Sequence, residues 1–237
     1  MGLYIILMGV QGAGKGEQAR FIQETYGIPQ VSTGDLFRAM KTRTDSLAQR
    51  IQQIMAEGKL IDDDTTNAVV EDRLGQDDAK NGVILDGYPR TPAQAAWLDQ
   101  YLEKHGAHVN AVLLLELDLY TAFKRSFGRV KSDDTGKTYN IYFNDDEVNE
   151  WKFVDHPSNE FPPRLQAIDV NGNVLSRRPD DANAHAILKR IDTFRETTAP
   201  LITYYEQKRP GLLVRVDADQ SIEAVSSAIK AAIETHK

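Results

Sequence analysis

A chain of 237 residues is long enough for one α/β core with an inserted subdomain, and short for two independent domains. Its 41% apolar and 27% charged residues are ordinary for a soluble globular protein, and 28 basic against 35 acidic residues, a net charge of −7, argue against a nucleic-acid groove as its main business. The absence of cysteine excludes a disulfide, a thiolate zinc site and a cysteine nucleophile. Nothing at the start resembles a signal peptide and no apolar run reaches about 18 residues, so a cytoplasmic protein without membrane contact is expected.

Leu3 to Met8 is a short apolar run typical of a buried strand. It breaks into Gly9, Gly12, Gly14 and Gly16, with Lys15 between the last two, and a helical pattern follows with Ala19, Ile22 and Tyr26 on one face. Strand, glycine loop, helix is the context in which G-x-x-x-x-G-K cradles phosphate. Inward-turned backbone N–H groups and the helix N-terminus supply partial positive charge, and Lys15 adds a full one. Four glycines in eight residues would only weaken a structural turn, so nucleotide binding is the reading. The Ser or Thr that should follow the lysine and touch magnesium is replaced by Gly16, then Glu17.

Gly27 to Val31 reads as a short second strand, and Ser32 with Asp35 as a capping box opening a helix that also carries Thr33 and Arg38. Helical segments run on to Glu57, stop at Gly58 and resume after a cap at Asp62 to Asp64, so residues 32–61 form a helical excursion from the sheet. Gly82 to Asp86 is a buried strand ending in a carboxylate, the place where P-loop enzymes hold magnesium, usually through water. The loop Gly87-Tyr88-Pro89-Arg90 follows, with Tyr88-Pro89 a candidate cis peptide, and Thr91-Pro92 starts a helix. Gln94 either completes a capping box with Thr91 or contacts a ligand.

Ala111 to Leu117 is an apolar fourth strand, and the helix after it is expected to carry Arg125 and Arg129 on one face. Residues 130–177, with Gly and Pro punctuation, alternating runs such as Tyr139 to Phe143, and Trp151, Phe153 and Phe161 in need of burial, read as a β-rich insertion. Arg177 to Asp181 leads into a long helix bearing Lys189 and Arg190. Leu212 to Val216 is a fifth strand, and Ile222, Val225, Ile229 and Ile233 mark an amphipathic C-terminal helix.

Taken together, GVQGAGKG, VSTGDLFR, EGKLI, DGYPRT with Gln94, RSFGR and RRPDD resemble, in order and spacing, the adenylate kinase family of P-loop nucleoside monophosphate kinases, over roughly residues 1–143 and 168–237. The resemblance implies a five-stranded parallel core flanked by helices (1–31, 62–129 and 178–237), a helical AMP-binding insert (32–61) and a β-rich lid over ATP (130–177). It implies a reversible, Mg²⁺-dependent transfer from ATP to AMP that yields ADP, in a protein that is a monomer without zinc. AMP would be held by Thr33, Arg38, the backbone of Lys59-Leu60-Ile61, Gly87, Tyr88, Arg90 and Gln94, the glutamine reading the adenine edge. ATP would be held by Gly12, Ala13, Gly14, Lys15, Gly16, Glu17, Arg125, Arg129, Thr138, Tyr139 and the backbone at Gln220. Lys15, Arg90, Arg129, Arg178 and Arg190 would be catalytic, with Arg178 and Arg190 also reaching AMP; Asp86 would hold magnesium, and Asp180 and Asp181 would latch the lid.

Three departures accompany the likeness. The family usually has threonine where Glu17 stands; the expectation is that this carboxylate turns away while its backbone N–H still serves phosphate. Residues 144–167 have no obvious counterpart. The run from Asp181 to Arg190 is one residue long for the family, leaving Lys189 or Arg190 as phosphate ligand, with Arg190 favoured by the Ile191 that follows. Another nucleoside monophosphate kinase, a GTP-using AMP kinase, or a nucleotide-binding regulator with impaired catalysis are the competing readings. Retention of Lys15, Asp86 and the arginines speaks against the last.

Overall fold

The computed structural model describes residues 2–56, 61–143, 148–153, 165–177, 181 and 183–236. In chain order they form β1 (Leu3–Gly9), α1 (Lys15–Tyr26), β2 (Gln30–Ser32), α2 (Thr33–Met40), α3 (Ser46–Ala56), α4 (Asp63–Leu74), β3 (Gly82–Asp86), α5 (Pro92–Lys104) and β4 (Val109–Glu116). There follow α6 (Leu119–Phe127), β5 (Arg129–Ser132), β6 (Thr138–Asn140), β7 (Val148–Phe153), β8 (Leu165–Asp169), β9 (Val174–Ser176), α7 (Ala184–Lys208), β10 (Leu213–Asp217) and α8 (Ile222–His236). The chain separates into two compact units: Met1–Gly9, Gly14–Glu116 and Glu196–Lys237 form the first, Val10–Ala13 and Leu117–Arg195 the second.

The first unit is built on a five-stranded parallel sheet in the order β10-β4-β1-β3-β2. Ile5, Ile6 and Leu7 of β1, Val83 to Leu85 of β3 and Ala111 to Leu113 of β4 are almost wholly buried, as continuous apolar strands covered on both faces should be. The β1–β4 register shifts between Tyr4 and Ile5, and there the side chain of Asn110 accepts the Tyr4 N–H at 2.9 Å, so the interrupted ladder leaves no donor unpaired. Leu7 of β1 pairs with Asp86 of β3, which brings the ends of β1 and β3 side by side. In open parallel sheets this carboxyl edge is where ligands bind. The helical excursion has its own small core of Met40, Ala48, Ile51 and Val69, with Leu36, Phe37, Leu47 and Ile61 against it. The second strand begins at Gln30, later than the sequence indicates, because Pro29 has no N–H to add to the ladder, although its carbonyl accepts the Ile84 N–H at 2.9 Å.

The second unit contains an antiparallel sheet in the order β6-β5-β9-β8-β7, packed around Val130, Tyr139, Ala167 and Leu175. The backbones of Trp151 and Phe153 lie in β7, and Phe161 falls outside the described residues. In the turn between β8 and β9, Asp169 accepts from the backbone N–H groups of Asn171 and Asn173, each at 2.9 Å, and these bonds hold its carboxyl below the usual carboxylate range. One expectation fails here. Arg129 does not share a helix face with Arg125, because α6 ends at Phe127 with Gly128 as its cap, and Arg129 is the first residue of β5. A Cβ at residue 128 would come within 2.6 Å of both Asn140 and Tyr142 side-chain atoms, which would have to shift to admit one.

Candidate nucleotide site

The glycine loop joins β1 to α1 and contributes to both units. Gly14 is the α1 N-cap, at φ 85°, and offers no side chain to the first-turn N–H groups, the condition under which a helix N-terminus can take an anion instead. Lys15 opens the helix, and its ammonium donates to the Gly9 carbonyl at 2.7 Å. Gly16 is exposed, and a Cβ there would meet nothing within 4 Å, so space is open above this turn. Glu17 lies in the same first turn, and its carboxylate is bound by the guanidinium of Arg20, one turn along. In the second unit, Gly12 has φ 90° and a Cβ would sit 2.6 Å from the Ala122 carbonyl, so no other residue fits this bend.

At the end of β3 a second cluster belongs wholly to the first unit. Thr33, at the start of α2 and 1% exposed, donates its hydroxyl to the Gly87 carbonyl at 2.9 Å. The same carbonyl accepts Arg90 Nε at 2.9 Å, and Arg90 Nη2 lies 3.4 Å from the Thr33 hydroxyl. The Tyr88-Pro89 bond is cis. Tyr88 is buried, its hydroxyl donates to the Asn67 side chain at 2.6 Å, and burial pushes its pKa well up. Tyr88 therefore serves as a packed strut under this loop. Thr91 caps α5 by accepting the Gln94 N–H at 3.1 Å, while the Gln94 carboxamide accepts from the Arg90 backbone N–H at 2.7 Å and donates to Asp63 at 2.6 Å. The reciprocal half of a capping box is thus displaced by one residue, from Thr91 to Arg90. Asp86 closes the strand, with one carboxylate oxygen accepting from Gln30 at 3.0 Å.

In the second unit Asp181 is fully buried, with Arg129, Gln11 and Arg190 among its partners. Arg129 Nε donates to it at 2.8 Å, Gln11 Nε2 at 2.5 Å, and Arg190 Nη1 stands 3.7 Å away. Arg129 Nη2 is 2.6 Å from the same carboxylate, so two nitrogens of one guanidinium face Asp181. Arg125 lies on α6, its carbonyl accepts the Asn140 carboxamide at 2.8 Å, and its guanidinium is 5.8 Å from the Phe143 ring centre. Tyr139 is buried in the sheet and Thr138 is exposed beside it.

The remaining expected residues are dispersed. Gln220 lies in the first unit between β10 and α8, donating to the Asp217 carbonyl at 3.3 Å, and Ile61 packs on the helical core. Arg38 is within α2. Lys59, Leu60, Arg178 and Asp180 lie outside the described residues. Three site-shaping residues escape a reading by local pattern: Asp63 behind Gln94, Gln30 behind Asp86, and Gln11 against Asp181. Asp63 carries a partial signal, since three consecutive acids at 62–64 exceed what one cap requires; Asp62 alone is that cap, accepting the Thr65 N–H at 2.7 Å.

Among the described residues no group of three His, Cys, Asp or Glu could hold a metal, and no helix is long and apolar enough to cross a membrane. The donor set suits Mg²⁺, which binds through one or two carboxylates together with substrate phosphates and water instead of a protein cage.

A family model described as "Adenylate kinase" matches residues 7–210. Curated proteins named adenylate kinase are similar along almost the whole chain. One from Moorella thermoacetica is 37% identical over 230 residues, covering 97% of each chain, and one from Bacillus subtilis is 36% identical over 227 residues, covering 95% of each. One from Symbiobacterium thermophilum is 36% identical over 236 residues, with 99% of this chain and 100% of its own covered.

Proposed function

The chain belongs to the adenylate kinase family, and from that premise we propose that it transfers the γ-phosphoryl group of Mg-ATP directly and reversibly to AMP, giving two ADP. The observation that carries this reading is the cluster of Thr33, Gly87, Arg90 and Gln94 at the end of β3. It combines a base-sized carboxamide with a phosphate-ready arginine next to the strand end from which the phosphate loop springs.

The acceptor phosphate of AMP is already ionised, so the attacking oxygen needs no general base. The bond to the β–γ bridging oxygen breaks as the bond to the AMP oxygen forms, and ADP leaves with that bridging oxygen. What the protein must supply is position and positive charge. Gly12 to Glu17 would hold the donor phosphates through backbone N–H groups, with Lys15 on the outer ones. Arg125, Thr138, Tyr139 and the backbone at Gln220 would hold the donor nucleoside. Thr33, Arg38, Lys59 to Ile61, Gly87, Tyr88, Arg90 and Gln94 would hold AMP. Arg90, Arg129, Arg178 and Arg190 would share the charge in flight, and an arginine in that role contributes roughly 10³ to 10⁵ in rate. Mg²⁺, when bound, neutralises phosphate charge, and Asp86 would hold it through water. Residues 1–31, 62–129 and 178–237 act as the core, 32–61 as the AMP-binding insert and 130–177 as the lid. The chain would work as a monomer in the cytoplasm.

A coupled ADP-production assay with Mg-ATP and AMP, CMP, UMP or GMP as acceptor tests the reading. Turnover with AMP far above the other three is expected. ATP binding without transfer to any acceptor would overturn it.

A further inference from the structure

We propose that Asp63 is a positioning residue that fixes the polarity of Gln94 and thereby sets the preference for adenine over guanine in the acceptor nucleotide. The inference rests on the reading of Gln94 as the group that meets the acceptor base.

A glutamine carboxamide can be turned over by 180° at little cost unless its neighbours distinguish oxygen from nitrogen. Both neighbours do so here. The Arg90 backbone N–H can only donate, and Gln94 Oε1 meets it at 2.7 Å; the Asp63 carboxylate can only accept, and Gln94 Nε2 meets it at 2.6 Å. The flipped amide would set N–H against N–H and oxygen against carboxylate. Asp63 is itself tied down. Its other oxygen accepts the Thr91 hydroxyl at 2.8 Å, and that hydroxyl oxygen accepts the Gln94 N–H at 3.1 Å, closing a ring of contacts. As the first residue of α4, Asp63 also sits where a helix favours negative charge. Gln94 is 4% exposed, so solvent does not substitute freely for these partners.

After these two bonds each end of the carboxamide retains one capacity, a lone pair on Oε1 and a hydrogen on Nε2. This pair accepts from an exocyclic amine and donates to a ring nitrogen, which is the pattern an adenine edge presents. Guanine carries a carbonyl oxygen where adenine carries the amine, so the locked Oε1 would face an acceptor. A glutamine free to turn over would offer its NH₂ instead. The Asp63 carboxylate and the Arg90 N–H thus exclude guanine together, by disfavouring the rotamer that would accept it, and the carboxylate is the part a side-chain substitution can remove.

The test is the ratio of kcat/KM for AMP to that for GMP in Asp63→Asn, whose new carboxamide can donate as well as accept. The ratio should fall about tenfold, toward the low end of what one bidentate base contact discriminates. In a Gln94→Leu background the same substitution should change the ratio less than about twofold, because the reader it acts through is gone. Loss of activity toward both acceptors by one common factor would mark a purely structural role and overturn the proposal, as would an equal change in both backgrounds. A Gln94→Leu protein that retains the wild-type preference would overturn the reading of Gln94 and this inference with it. Should Asp63→Asn fail to fold by circular dichroism, Asp63→Ser, which also donates and accepts, carries the same comparison.

Discussion

Replacing Asp181 by asparagine changes one atom of a fully buried side chain, and the structure sets what that should cost. The carboxylate accepts from Arg129 Nε at 2.8 Å and from Gln11 Nε2 at 2.5 Å, with Arg190 at 3.7 Å. Asparagine has one oxygen to offer, so Arg129 keeps a neutral acceptor in place of a carboxylate, and Gln11 must turn its carboxamide over to accept from the new NH₂. A hydrogen bond to a charged group contributes about 1.5–3 kcal/mol, and uncovering a buried charge by removing its partner costs about 3–5 kcal/mol. Arg129 and Arg190 keep 22% and 41% exposure, so water takes back part of that charge. The net expectation is about 2–3 kcal/mol, or a fall in Tm of about 5–10 °C for a chain of this size. Calorimetry and circular dichroism on the full chain at pH 7 measure it, in about 0.1 M and about 1 M salt, since a buried pair is screened little. A fall below about 2 °C, or one that high salt abolishes, would refute the account of Asp181 as the buried anchor of Arg129.

Asp169 gives the pH prediction. Its carboxyl is held down by the Asn173 N–H, then by the Asn173 side chain and the Asn171 N–H, so its folded pKa lies below its unfolded value of about 4. Such a group stabilises above the unfolded pKa, and the contribution is lost as pH falls through the folded one. The Tm of Asp169→Asn should therefore lie below wild type at pH 7, and the gap should close below about pH 4; a gap of the same size at about pH 2 would refute the charge-based account. For Glu17→Thr, the pair being broken is 38% and 64% exposed, in the range where surface ion pairs are worth about 0–1 kcal/mol. Its Tm should stay within about 2 °C of wild type and its KM for ATP within about twofold, since the carboxylate faces Arg20; a fivefold change in KM would show that Glu17 acts on the phosphates.

The parts of this protein that a single sequence discloses are those governed by neighbours in the chain. The unbroken apolar run from Leu3 to Met8, the glycines between that strand and α1, Thr91-Pro92 at a helix start and the Tyr88-Pro89 bond are local features of the chain, and they are found as expected. The four-residue spacing of Arg125 and Arg129 reads as one helix face, yet α6 ends at Phe127 between them, and spacing alone looks the same on either side of a terminator. The small residue at Gly128 suits contacts that come from later in the chain, since the side chains of Asn140 and Tyr142 would crowd a Cβ there. The supports of the site are less legible still. Asp63 meets Gln94 across 31 residues, Gln30 meets Asp86 across 56 and Gln11 meets Asp181 across 170, and no periodicity encodes pairings of that range.

Those long-range pairings follow one physical rule. A glutamine or an arginine that must meet a ligand has more rotamers than function can use, and its unbound state is a set of misdirected ones. An acid placed behind it removes most of them, because a carboxylate accepts only and so selects both the position and the polarity of the donor. Asp63 does this to Gln94 in the first unit and Asp181 does it to Arg129 in the second. In each case the carboxylate holds a donor in one orientation: Gln94 Nε2 at 2.6 Å from Asp63, and Arg129 Nε at 2.8 Å from Asp181. Catalysis that lacks a general base and proceeds by positioning alone depends on such arrangements being present before the nucleotides arrive. Replacing either acid should therefore degrade discrimination or phosphate geometry more than ligand-independent folding would suggest.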